Sequence, residues 1–462
     1  ADINYSSNHR YFVDGPITVA DVNFGGSDTD WHTIVVGGHG AGGTAYFALD
    51  VTDPLNPTFL WEFTDTNLGY TFSNPAVSKL PNGEWAVFFA SGYNNNVGGG
   101  DGVGRLYAID PKTGAVKSGF PMSTASGSSG TPSNLGKIAV WVDNASNNNT
   151  ARFIYSGDTN GDLWRFDFDP GASGQSGAAV FKLASLTDPG GAGRPITTKP
   201  ELTTVQTSGS GLMQEVLVGT GQYLEAADLT STAVETFYAI KDTLGADNLG
   251  NGIQETYIPR TATKAGVPQF LKRKLISTRE DGTKIKYTDE FGQLVDGRQI
   301  CQVGINGAQP TVTAGGACRP GNDAGGTPEP TPAMDWDVYG GWMVDLPDPG
   351  ERLNVDPKLR QGTVVFATNV PSASACTAAG SAYVNFLDYR TGLGVNGEGI
   401  VSRKVAGALV VGLTVITLPS GESKVIVTRS DAKPDTYKVP IMPSASSAFQ
   451  DKRSLWREFE AY

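Results

Sequence analysis

Acidic turns carry the clearest chemical signal in this 462-residue chain. Asp158-Thr159-Asn160-Gly161-Asp162 spells D-x-N-x-D, with Asp169 at the twelfth position. A calcium ion takes about six to eight oxygens from closely spaced Asp, Asn and carbonyl groups, so this run is a candidate loop. Its sixth position is Leu163 instead of glycine, and Leu163 to Phe168 reads as strand, which favours a plain Asx turn. Asp21, Asn23, Asp28 and Asp30 form a second cluster that converges if the Gly25-Gly26 turn folds back. The third, Asp143-Asn144-Ala145-Ser146-Asn147-Asn148-Asn149, is rich in oxygens and poor in charge, which implies weak binding. The expected ion is Ca2+, and the candidate ligands are Asp143, Asn147, Asn149, Asp158, Asn160 and Asp162.

Other chemistry is sparse. His9, His32 and His39 are the only histidines; His32 and His39 bracket a strand and turn, where packing or surface roles compete with ligation. Gly38, Gly40 and Gly43 satisfy G-x-G-x-x-G, but a dinucleotide site needs a helix next, and here a strand follows. There is no nucleophile elbow, Walker motif or H-E-x-x-H. Cys301 and Cys318 flank a Gly/Pro/Thr loop; either a disulfide staples that loop, implying an oxidising compartment, or they and Cys376 are three unpaired thiols.

The elements that position these turns follow one template, Trp31 to Pro54. An apolar run, Thr33-Ile34-Val35-Val36, is joined by a glycine-rich turn to the alternating Tyr46-Phe47-Ala48-Leu49-Asp50-Val51. Two β-rich runs so joined read as a hairpin. Versions of it recur at Trp85–Asp110, Arg152–Asp167, Glu215–Lys241 and Trp342–Asp345. Sixty residues separate Asp50 from Asp110, and 57 separate Asp110 from Asp167. Repeats of this kind are propeller blades with inserted loops. The expectation is an all-β, modified β-propeller of about seven irregular blades, six and eight being open, with long inserted loops. It spans residues 1–462 as a single domain, with 242–335 a long insertion between blades that carries its own hairpin across Glu280-Asp281-Gly282. Val401 to Leu418 reads as two strands, since Ser402, Arg403 and Lys404 and two glycines break it as a membrane span.

Composition agrees. The 59 glycines and 27 prolines favour turns over long helices, and a net charge of −12 argues against nucleic-acid binding and anionic membranes. No signal peptide is visible, and Ala1 reads as the start of a fragment or a mature form.

The ordered set His9-Arg10-Tyr11-Phe12-Val13-Asp14-Gly15, the Trp31–Pro54 unit, Gly157-Asp158 to Asp167, Gly340-Gly341-Trp342, Gly350-Glu351-Arg352, Arg360-Gln361-Gly362 and Ser454-Leu455-Trp456-Arg457-Glu458 resembles the C-terminal propeller of the PilY/PilC family. The resemblance implies a non-enzymatic adhesin and pilus biogenesis factor associated with the tips of type IV pili. It implies support of pilus assembly, opposition to retraction, surface attachment and twitching motility. The implied partners are minor pilins and the pilus tip, with a host cell or abiotic surface; no nucleic acid and no membrane insertion are expected. The implied location is extracellular, at the pilus tip or outer-membrane surface. Some members carry a calcium loop that here falls on Asn144 to Arg152, with the last acidic ligand replaced by Arg152. A cation there repels Ca2+, so a site requires a shifted loop with Asp143, Asn147 and Asn149 as ligands. Two other classes compete. Tyr107 to Gly114 resembles the docking motif of quinoprotein dehydrogenases, and loop aromatics such as Trp31, Tyr70 and Tyr93 suit a carbohydrate-binding module, with core packing as the alternative.

Overall fold

The computed structural model describes residues 11–441 except 26, 28, 145–147, 169–177, 210, 245–255, 290–291, 324 and 373–379. Where the sequence implied one domain, contacts divide the chain into two compact units, Ala1–Leu183 with Lys452–Tyr462 and Ala184–Asp451.

The first unit is built from antiparallel four-stranded meanders. β1 (Ile17–Asn23), β2 (Trp31–Gly38), β3 (Tyr46–Asp50) and β4 (Thr58–Phe63) pair in sequence order. So do β5 (Ala76–Lys79), β6 (Trp85–Ala90), β7 (Arg105–Ile109) and β8 (Met122–Ser123). The third meander is β9 (Ile138–Asn144), β10 (Asn148–Gly157), β11 (Asp162–Asp167) and β12 (Ala179–Ser185). The template hairpin forms as its alternation predicts, with Ile34 opposite Asp50 and Gly38 opposite Tyr46. Its glycines make the β2–β3 turn: Gly40 has φ +61°, and a Cβ there would lie 2.5 Å from the Asp14 carboxylate. Any larger residue would clash as well as strain the backbone.

Apolar side chains on facing sheets supply the core. Ile34, Val36, Tyr46, Ala48 and Trp61 of the first meander pack with Val77, Val87, Phe89 and Tyr107 of the second. The second turns its other face, with Ala86, Phe88 and Leu106, toward Val140, Ile154, Trp164 and Phe166 of the third. β6 is consequently buried at all six positions, which explains why its run WAVFFA is apolar throughout.

The second unit opens with β13 (Glu201–Thr207), β14 (Gly211–Gly219) and β15 (Thr236–Asp242). The segment expected as an insertion then contributes β16 (Thr263–Lys264), β17 (Val267–Pro268), β18 (Phe270–Ile276), β19 (Lys286–Thr288), β20 (Leu294–Gln302), β21 (Thr311–Val312) and β22 (Cys318–Arg319). β23 (Gly341–Asp345) pairs with β15 and completes the fourth meander. β24 (Lys358–Arg360), β25 (Thr363–Pro371), β26 (Gly380–Asp388) and β27 (Ile400–Ala406) form the fifth. β28 (Val410–Thr417), β29 (Ser423–Arg429) and β30 (Pro434–Lys438) form a three-stranded sheet. The described residues thus hold six blade-type sheets, at the low end of the six to eight expected. Val401 to Leu418 does form two strands, parts of β27 and β28.

The insertion does more than loop out. β18 runs parallel to β23, β20 pairs with β18, and β20 also pairs with β27, so one sheet continues through it. The chain turns at Glu280-Asp281-Gly282, with Thr278 bridged to Lys284, but β18 takes β20 and β23 as partners instead of extending that hairpin. Burial of Leu271, Leu275 and Ile300 in the unit's core decides this over the local turn. Cys301 on β20 is joined to Cys318 on β22 by a disulfide; Cys376 lies outside the described residues.

Tryptophan clasps recur. Trp61 donates its indole N–H to the Pro111 carbonyl at 2.9 Å and lies over Gly114, whose φ is +72°. Trp342 donates to the Tyr389 carbonyl at 2.7 Å and lies over Gly392, φ +67°. Asp110-Pro111-Lys112-Thr113-Gly114 and Asp388-Tyr389-Arg390-Thr391-Gly392 therefore do the same job, each binding a turn onto a neighbouring strand's indole. Helical structure among the described residues amounts to three 3-10 turns, and no helix there is long and apolar enough to cross a membrane.

Candidate functional site

β10 separates the two candidate calcium turns. Asp158–Asp162 follows its C-terminal end, whereas Asp143 lies at the end of β9 and Asn149 is the second residue of β10. Ten strand residues span on the order of 30 Å, so the two turns are not one site.

At the first turn the Asp158 side chain is fully buried. Its Oδ1 accepts the backbone N–H groups of Asn160 at 3.0 Å and Asp162 at 2.9 Å, closing an Asx turn. Its Oδ2 accepts the Trp164 indole N–H at 3.0 Å and the Ser133 hydroxyl at 3.3 Å. Gly161 holds φ +92°, which suits glycine alone. Burial pushes the Asp158 carboxyl up to about 6, against the Trp164 and Asp162 hydrogen bonds that favour its ionised form. Asp162 is paired with Lys182 at 2.6 Å, and Lys182 also lies over the Trp164 ring. Asn160 is exposed, and Asp169 lies outside the described residues. The D-x-N-x-D run is thus a hydrogen-bonded turn in which both Asp158 oxygens have donors and Asp162 has a cation.

The second turn has its own cation. Asp143 accepts the Trp141 indole N–H at 2.8 Å and pairs with Arg152 at 3.1 Å. Arg152, at the position where the family resemblance places an acidic ligand, therefore neutralises Asp143 directly. Asn149 is buried; its side-chain amide donates to the Val77 carbonyl at 3.3 Å, and its backbone carbonyl accepts the Ser78 hydroxyl at 2.7 Å. These contacts tie β10 to β5. Asn147 lies outside the described residues. Of the residues expected as ligands, Asp143 and Asp162 are paired with cations and Asp158 is held by four hydrogen bonds. Among the described residues, no group of three or more His, Cys, Asp or Glu is arranged to hold a metal.

The Asp21–Asp30 cluster is locally tied too. Asp21 accepts the Thr33 hydroxyl at 2.7 Å, and Asn23 donates to the Ser27 carbonyl; Asp28 lies outside the described residues. His32 stands between Asp50 at 2.5 Å and Asp30 at 3.3 Å and stacks on Phe24. Burial alone would raise the Asp50 carboxyl, but hydrogen bonds from Thr52 and His32 outweigh it and hold Asp50 below its ordinary value. His39 faces Glu62 at 3.7 Å. The aromatics considered for sugar stacking form no common platform: Tyr93 is buried, Tyr70 half-buried, and Trp31 packs edge-on to Trp85.

Sequence reasoning missed a buried charge network at Gly350-Glu351-Arg352. Arg298 of β20 is fully buried, pairs with Glu351 at 2.7 Å and Asp348 at 2.9 Å, and lies 3.4 Å over the Tyr383 ring. Burial would lower the Arg298 guanidinium; Glu351 overcomes that and raises it. Arg352 donates to the Gln222 carbonyl at 3.0 Å, the Asp228 carbonyl at 2.6 Å and the Ser231 carbonyl at 3.1 Å. The three-residue motif fastens the insertion and the 222–231 loop to the fifth meander. Its place in the ordered motif set was visible in the sequence; its burial and its partner Arg298 were not.

Four-stranded meanders, tryptophan clasps and hydrogen-bonded acidic turns define a modified β-propeller. Comparison with known proteins narrows this further. The family described as the PilY1 beta-propeller domain matches residues 1–254, and the chain belongs to that family. The type IV pilus biogenesis factor PilY1 of Pseudomonas aeruginosa is 36% identical over 257 residues, covering 51% of this chain and 21% of that protein. A PilY1 homolog of Xylella fastidiosa is 27% identical over 410 residues, covering 83% of this chain and 23% of that protein. The crystal structure of the P. aeruginosa PilY1 C-terminal domain superposes with a TM-score of 0.65 and 25% identity, over 93% of this chain and 84% of that one. The chain spans about a fifth of the length of the curated relatives it matches.

Proposed function

We propose that this chain is the propeller part of a type IV pilus biogenesis factor. It supports pilus assembly, opposes retraction, and mediates surface attachment and twitching motility. The observation that carries the reading is the 36% identity to PilY1. Its partners are minor pilins at the pilus tip, together with a host cell or abiotic surface. It acts outside the cell, at the pilus tip or outer-membrane surface; the Cys301–Cys318 disulfide supports an oxidising location. Its role is non-enzymatic, a reading supported by the engagement of Asp158, Glu351 and Arg298 in internal hydrogen bonds and ion pairs. The experiment is an in-frame deletion of this domain in the native host, with sheared surface pili quantified and twitching zones measured. The expected outcome is a loss of surface pili that returns when retraction is also disabled. Wild-type pilus number and twitching in the deletion strain would sink the proposal.

A further inference from the structure

Four arginine side chains are buried among the described residues: Arg165, Arg273, Arg298 and Arg352. Three of them have their charge answered. Arg165 pairs with Asp167 at 3.6 Å, and Arg298 pairs with Glu351 and Asp348. Arg352 spreads its N–H groups over the carbonyls of Gly350, Gln222, Asp228 and Ser231. Arg273 is the exception. It is 3% exposed, and its Nε donates to the Thr391 carbonyl at 2.8 Å. Its Nη1 and Nη2 are buried and have no acceptor. Tyr339 is the one titratable group among the described residues that acts on it, so no carboxylate balances it.

The fold puts this charge in an apolar layer. Arg273 lies on β18 between Leu271 and Leu275, which belong to the unit's core, and alternation along the strand turns it to the same face. Gln302 of β20 and Val344 of β23 flank it in direct register. The Gln302 amide is directed to the Pro332 carbonyl, and Val344 is apolar. Trp336, in the same core cluster, has a buried indole N–H that also lacks an acceptor. The contrast with Glu215 is chemical. Both Glu215 carboxylate oxygens are buried without donors, but a carboxyl can shed its charge by binding a proton. A guanidinium keeps its proton in a protein, and burial lowers that of Arg273 only to about 10. A buried water would accept hydrogen bonds from Nη1 and Nη2 without cancelling the charge, and an uncompensated buried ion is strongly destabilising.

We propose that the Arg273 guanidinium holds a small monovalent anion of the chloride class in the core beside the Thr391 turn. The anion accepts from Nη1 and Nη2, while Nε keeps the Thr391 carbonyl. The apolar surroundings favour a singly charged halide over a doubly charged oxyanion, whose desolvation costs more. The bound ion helps to fasten β18 of the insertion to the turn that also clasps Trp342, as the Arg298–Glu351 pair fastens β20.

The test is urea unfolding of the full chain at pH 7 and constant ionic strength, with sodium chloride exchanged stepwise for sodium gluconate, whose anion is too bulky for the core. The expected result is a folded-to-unfolded ratio that rises about tenfold for each tenfold rise in chloride above its Kd. Arg273→Met is expected to abolish that dependence. Crystals of the unsubstituted chain soaked in sodium bromide give a second readout that needs no variant: the expected anomalous peak lies in contact with Nη1 and Nη2. A ratio independent of chloride overturns the proposal, as does the same dependence in Arg273→Met. Bromide found at surface positions alone, an adventitious ion only, overturns it too, as does a water in place of the halide on the guanidinium.

Discussion

Asp158→Asn tests whether the acidic turn is architecture or a cation site. Asp158 is buried, and its carboxyl is raised from 3.8 to about 6. A carboxyl that binds its proton more tightly in the folded state stabilises the fold where it is protonated there, and that stabilisation is lost as pH rises through the folded value. The window runs from near 4 to above 6. Taking both values through the linkage relation, the contribution at pH 4 exceeds that at pH 7 by about 2 kcal/mol. Asn cannot titrate. It also presents an amide N–H to the Trp164 indole N–H or to a backbone donor, and losing a hydrogen bond to a charged or buried acceptor costs about 1.5–3 kcal/mol. Urea denaturation of both proteins from pH 4 to pH 7 reads the difference, which cancels groups that titrate in both. Burial pushes Glu201 up to about 7 and raises Glu215 well above its ordinary value, so these groups shift both curves alike. The substitution is expected to destabilise more at pH 4 than at pH 7, by about 2 kcal/mol. Parallel curves refute the reasoning. A penalty that grows toward pH 7 reverses the sign and means that the carboxylate is held ionised, as a bound cation would hold it.

Further outcomes follow from the same geometry. Calorimetric titration of the chelated chain with Ca2+ is expected to show no micromolar site, and a micromolar isotherm would mean that Asp143 and its neighbours in sequence organise ligands despite Arg152. Cys301→Ser/Cys318→Ser opens a loop with a sequence separation of 17, so chemical denaturation is expected to show a loss of about 3 kcal/mol if chain entropy dominates, and no loss would place the staple outside the cooperative unit. Glu351→Ala leaves the Arg298 guanidinium buried without its partner, which costs about 3–5 kcal/mol, whereas Arg298→Met with Glu351→Gln is expected to recover much of it. A single-variant loss under about 1 kcal/mol would show that the network is solvated.

Local pattern revealed the blades and little beyond them. The alternation of Tyr46 to Val51 and the unbroken run Trp85 to Ala90 identified strands because side-chain direction along a strand is a local property. Alternation left open which face of β3 is buried, since Phe47 and Leu49 are as apolar as Tyr46 and Ala48. The neighbouring sheet decides that. Glu280-Asp281-Gly282 gave the turn correctly but suggested the wrong neighbour for Leu275-Ile276, because β23 and β20 are remote in sequence. The acidic runs were ambiguous for a chemical reason. Asx turns and calcium loops use the same residues, and the outcome at Asp158 depends on Trp164 and on Ser133, which is 25 residues away. Glu351 likewise takes its meaning from Arg298, 53 residues distant. Resemblance to a family supplied the function that no local pattern could.

The claim that this domain works at the pilus is tested most directly by locating it. An epitope tag in an exposed turn such as Asn82-Gly83, expressed from the native locus, would be followed by shear fractionation and immunogold electron microscopy. The account predicts tag in the sheared pilus fraction and gold particles at pilus ends. Tag retained in the cell fraction, with pili assembled but unlabelled, would contradict it.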